Sequence, residues 1–140
     1  MSNPGPASTV TSHPSGLATN QALRLIASAE GVNLNAVGDT VANIVNQSGK
    51  VSVQSVIVAS ASINLTTAQL AVYTGPNATG VAVKTAYALT GNSASDKVVI
   101  TAADDTDLVT SGKLYLRCTT AQGAAATADV FIYGYDLSFL

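Results

Sequence analysis

From Leu114 to Cys118 the chain alternates strictly: Leu114, Leu116 and Cys118 fall on one side, Tyr115 and Arg117 on the other. That period of two is the pattern of a half-buried β-strand. Ala128 to Tyr135 repeats it, with Ala128, Val130, Ile132 and Gly134 on one side and Asp129, Phe131, Tyr133 and Tyr135 on the other. The stretch between them is small and polar, so the two segments read as strands joined by a hairpin at Gln122-Gly123. An aromatic row opposite an aliphatic row is costly to leave in water, which predicts cover from another sheet or another subunit.

At 140 residues the chain has the size of one domain that buries a core without disulfides or metal staples. Only 10% of its residues are charged and its net charge is −2, so a phosphate backbone gains nothing by approaching it, and nucleic-acid binding is not expected. No apolar run approaches the roughly 20 residues that span a bilayer, so no membrane partner is expected. The opening Met1-Ser-Asn-Pro-Gly-Pro6 lacks the basic and apolar regions of a secretion signal, which points to synthesis in the cytoplasm.

Residues 1 to 20, rich in Ser, Thr, Pro and Gly, are expected to form a flexible arm. A connecting segment, 21 to 37, follows; Gln21 to Ala29 within it could be a short helix or an added strand. From residue 38 to 140 the pattern is β. Candidate strands are Thr40 to Val45, Val51 to Ser60, Leu70 to Tyr73, Val81 to Leu89, Lys97 to Thr101, Leu114 to Thr119 and Thr127 to Tyr135. Asn46 to Gly49, Gly75 to Gly80, Gly91 to Ser93, Ser111-Gly112 and Gln122-Gly123 supply turn chemistry between them. The expectation is an all-β single sandwich, jelly-roll-like, with an N-terminal arm.

Val51 to Ser60 breaks the alternation. Val51, Val53, Ile57 and Ala59 share one parity while Val56 and Val58 take the other, so its far half reads as apolar on both faces. Either a loop or the N-terminal segment covers the second face, or a neighbouring subunit does. The second reading makes Val56, Val58, Phe131, Tyr133 and Tyr135 candidate oligomer-interface residues, in a symmetric homo-oligomer expected to be a trimer.

The stretch from Val53 to Gly75, followed by that from Leu114 to Tyr135, resembles a family of small virion proteins of tailed bacteriophages. Members carry segments similar to Leu65-Thr-Thr-Ala68, Val72-Tyr-Thr74 and Cys118-Thr-Thr-Ala-Gln-Gly123. The similarity spans residues 38 to 137, and this chain departs from the blander pattern at Arg117-Cys118. The resemblance implies a non-enzymatic particle component, with capsid decoration as the role, the major capsid protein as partner and the capsid surface of the virion as its place. It brings no catalytic residues and no cofactor.

A search for chemistry finds little. Cys118 is the sole cysteine and shares the Leu114/Leu116 face, so it reads as a core residue; a nucleophile would need a base, and the sole histidine, His13, lies in the arm. Asp104, Asp105 and Asp107, with Asp96 upstream, lack the spacing and terminal glutamate of an EF-hand loop and read as a solvated turn. Asn46, Asn64 and Asn77 head Asn-x-Ser/Thr triplets by chance in a Ser/Thr-rich chain. Gly75 to Gly80 has no following Lys-Ser/Thr and is no phosphate loop. Glu30 is the sole glutamate, and no acid pair has hydrolase spacing.

Two classes of function stay open. A cement protein would lie on the shell and stabilise it by binding the assembled lattice better than free subunits, with the arm as attachment element. A host-facing carbohydrate-binding head-fibre module would use Tyr73, Tyr87, Tyr133 or Tyr135 as stacking platforms. A tail or neck component is a third possibility that shares the features of the first.

Overall fold

The computed structural model describes residues 23–45, 50–101 and 108–137. The expected arm with His13, the turn at Asn46 to Gly49 and the acids Asp104 to Asp107 lie outside the described residues. Eight strands are present: β1 (Arg24–Asn33), β2 (Gly38–Asn43), β3 (Val51–Ala59), β4 (Gln69–Tyr73), β5 (Ala82–Ala88), β6 (Val98–Thr101), β7 (Lys113–Thr120) and β8 (Thr127–Asp136). Among the described residues there is no helix. The strands form two four-stranded sheets, β1-β8-β3-β6 and β2-β7-β4-β5, antiparallel throughout. Within them pairing is nested: β1 with β8, β2 with β7, β3 with β6 and β4 with β5.

The alternating segments face one another across the core. Val130 and Ile132 of β8 and Val56 and Val58 of β3 come from the first sheet, and Leu114, Leu116, Leu70 and Val72 from the second; all are buried in one cluster. The seven strands read from alternation are all there, within a residue or two at their ends. One connection differs from expectation. β7 and β8 sit in different sheets, so the Gln122-Gly123 turn is a crossover between layers and not a hairpin. Both strands bury their even-numbered faces, and only opposite layers let those faces meet. Residue 34 pins the crossover, since Leu34 N–H donates to the Ala126 carbonyl and Gln122 N–H to the Leu34 carbonyl.

The segment 21–37, expected to be a connector, contributes the ten-residue strand β1 to the first sheet, so among the described residues the sandwich begins at Arg24 and not at residue 38. Its period was unreadable because register shifts fall between Leu25 and Ala27 and between Ala29 and Val32. Ile26 and Ala27 are consequently buried in succession, and Gly31 takes a φ of 63°, a conformation that a Cβ disfavours.

A bulge also explains β3. Val53 pairs with Gly134 and Ser55 with Tyr133, so Gln54 is an extra residue that shifts parity mid-strand. Val51 and Val53 point inward before the bulge, and Val56 and Val58 point inward after it. The far half of β3 is thus apolar on both faces, with Val56 and Val58 turned into the core and Ile57 and Ala59 turned outward. Gly134 is required opposite the bulge, because a methyl group there would overlap the Ser52 carbonyl oxygen.

Candidate interaction face

β8 is an inner strand of its sheet, and its odd-numbered side chains emerge on the outer surface. Register aligns them with neighbours on three strands. One row runs Ser28, Phe131, Ile57 and Val99 across β1, β8, β3 and β6; the next runs Leu25, Tyr133, Ser55 and Thr101. Phe131, Tyr133, Tyr135 and Ile57 are half-buried, while Val99 and Leu25 are 43% and 36% exposed, so the rows are open to solvent at both edges. None of the eight residues in these rows is charged. Asp129 stands in the row beyond, opposite Ala59, and its Oδ1 accepts from Gly31 N–H at 2.9 Å.

Of the five candidate interface residues, Phe131, Tyr133 and Tyr135 share this outer face. Val56 and Val58 do not: they are 2% and 0% exposed and packed in the core, because the Gln54 bulge turned their parity inward. The residues that sequence reasoning missed are Leu25, Ile57 and Val99. Only strand register makes them neighbours of Phe131 and Tyr133, and a single sequence carries no direct signal of register.

The outer face of the other sheet is more occupied. Its rows are Val41, Tyr115, Tyr73 and then Asp39, Arg117, Ala71. Arg117 Nη1 donates to Asp39 Oδ1 at 2.9 Å, and Asn77 N–H donates to Asp39 Oδ2 at 2.6 Å, so the loop after β4 folds back towards β2. Ala71 is fully buried on this face. Asn77 and Ala78 hold left-handed φ values of 55° and 60°, a strained pair fixed by that anchor. Tyr87 lies on β5 with Lys84 Nζ 5.7 Å from its ring centre. The four tyrosines considered as stacking platforms are therefore divided between the two sheets: Tyr133 and Tyr135 on one, Tyr73 and Tyr87 on the other.

Cys118 is buried on the inner face of β7, and its Sγ donates to the Thr120 carbonyl at 3.4 Å. Burial pushes the thiol's pKa up, opposed in part by that backbone contact and by the Arg117 charge. A thiol so placed is a poor nucleophile. Among the described residues no group of three His, Cys, Asp or Glu side chains lies close enough to hold a metal ion. No family model matches the chain, and no curated protein matches it.

Proposed function

We propose that this protein is a structural component of a tailed-bacteriophage virion, a decoration protein that oligomerises on the capsid surface and contacts the major capsid protein. The observation that carries the reading is the open outer face of the β1-β8-β3-β6 sheet, where two adjacent uncharged rows align Phe131, Ile57, Val99, Leu25 and Tyr133. A contiguous face of that kind is what a protein contact buries. The resemblance of Val53 to Gly75 and Leu114 to Tyr135 to phage virion proteins supports the same reading. So does the nested pairing of eight strands, which we read as a jelly roll, an architecture shared by viral capsid and lectin domains; this is support by analogy of fold.

Low charge fits the role. With charged residues at 10% of the chain, copies pack side by side with little mutual repulsion, and each contact made only on the assembled shell stabilises that shell. A symmetric oligomer, a trimer in this proposal, would use the outer rows of β8 and its neighbours. The division of the tyrosines between the two sheets argues against a single stacking platform made from all four.

Location and copy number test the proposal. Quantitative mass spectrometry of purified particles, with heads separated from tails, should find the protein on heads at hundreds of copies. A handful of copies, confined to tails or necks, would overturn the decoration role. Absence from particles would overturn the virion assignment altogether.

A further inference from the structure

One end of the sandwich is closed by loops 60–68, 89–97 and 121–126, and their contacts leave a recess of about 300 Å³ between the first two. We propose that this recess binds a neutral polyhydroxyl ligand, a single sugar ring presenting adjacent hydroxyl groups, and that Asn92 and Asp96 are its recognition residues. The inference stands apart from the outer-face contact and rests on different residues.

The walls are fixed from several sides. Leu65 N–H donates to the Asn92 carbonyl, Gly91 N–H to the Leu65 carbonyl and Ala61 N–H to the Ser93 carbonyl. Thr90 Oγ1 donates to the Thr66 carbonyl. Gln122 Oε1 accepts from the backbone N–H groups of Thr66, Thr67 and Ala68, each at 3.1 Å, and its Nε2 donates to Thr66 Oγ1. A recess held this firmly does not spend binding energy on ordering its own loops.

Within that frame one group is left over. Asn92 lines the recess and is 0% exposed, yet neither its Oδ1 nor its Nδ2 has a hydrogen-bond partner. A buried amide in that state is unfavourable, and native structures rarely keep one without a reason. Rotating the side chain towards the recess sacrifices no hydrogen bond, because it makes none.

The chemistry of the orphan selects the ligand. The amide needs a donor for Oδ1 and an acceptor for Nδ2 together. A metal cation would satisfy only the oxygen, and an anion only the nitrogen while facing the Asp96 carboxylate. Adjacent hydroxyl groups supply both. Asp96 Oδ2 already accepts from Ser93 Oγ at 3.1 Å, which orients the carboxylate and leaves Oδ1 to accept from a further hydroxyl. The volume is at the lower end of ligand pockets, about 300–1,000 Å³, which suits one ring. Asp96 also lines an adjoining recess of about 540 Å³ with Ser95 and Lys97, so a longer glycan has a direction in which to continue.

The test is an NMR titration of the full-length protein with mannose, galactose and N-acetylglucosamine, with calcium chloride as the cation control. At least one sugar should cause saturable shifts of the Asn92 side-chain amide and of backbone signals in 64–66 and 90–96 at millimolar concentration, with no such response to calcium. Asn92→Leu should abolish those shifts without lowering the melting temperature, since it removes an amide that has no partner. Asp96→Asn should weaken the response at least tenfold while leaving the backbone spectrum intact. No saturable response to any sugar, a response to calcium alone, or shifts that persist in both variants would overturn the proposal. A marked destabilisation by Asn92→Leu, with no sugar response in the unmodified protein, would show that the amide serves an ordered water only, and would overturn it equally.

Discussion

Gly134 shows how much of this fold rests on single atoms. The bulge at Gln54 brings the Ser52 carbonyl oxygen so close to Gly134 Cα that a side chain has no space, and the obstacle is backbone, which cannot rotate away. Gly134→Ala is therefore expected to destabilise the protein by about 1–3 kcal/mol in chemical denaturation, the cost of overpacking a fitted site. An unchanged midpoint would contradict that close approach. Cys118 makes a second prediction at this scale. Its thiol ionises at higher pH in the folded chain than in the unfolded one, because burial disfavours the thiolate. Its contribution to stability is full below the ordinary thiol pKa and is lost as pH rises through the raised value. The stability of the unmodified protein should thus fall more steeply with alkaline pH than that of Cys118→Val. Parallel pH profiles would contradict the buried assignment. Gln122→Ala should cost about 1 kcal/mol, because three N–H groups lose one acceptor but lie close enough to solvent for water to replace it in part.

At the scale of elements, strands were legible where register was regular. β7 and β8 alternate without interruption; the pattern sorted their faces and read the Leu114, Leu116 and Cys118 face as core, and in β8 the aliphatic face with Val130 and Ile132 is the buried one. β1 was not legible because two register shifts destroy its period; in β3 the two apolar faces of the far half were legible, but not which of them meets the core, because the Gln54 bulge switches parity mid-strand. The layer to which a strand belongs was hidden too: Gln122-Gly123 is sound turn chemistry for a hairpin and for a crossover alike. β1 can be tested as a member of the core. Ile26→Ala is expected to cost about 2–4 kcal/mol if the strand packs in the sandwich, as a buried large-to-small change does, and almost nothing if 21–37 were a mere connector. The recess beside Asn92 left no trace in the sequence, since Gly91-Asn92-Ser93 reads as an ordinary turn and only the folded loops deprive the amide of partners.

At the scale of the whole molecule, the two sheets differ in how they meet solvent. One outer face is anchored by its own loop through Asn77, Asp39 and Arg117; the other carries Leu25, Ile57, Val99, Phe131 and Tyr133 with no charge among them. That asymmetry is the basis for assigning self-association to the β1-β8-β3-β6 sheet. Replacing Phe131 by Asp would put an unpaired carboxylate at the middle of the rows, where desolvation on contact is most costly, while leaving the inward faces of all four strands untouched. Multi-angle light scattering on the unmodified protein and on Phe131→Asp, with thermal unfolding of both as a check on the fold, tests this most directly. The account predicts a discrete oligomer, a trimer, for the unmodified chain and a folded monomer for the variant. An unmodified chain that stays monomeric at high concentration and off the particle, or a variant that keeps the oligomer intact, would contradict it.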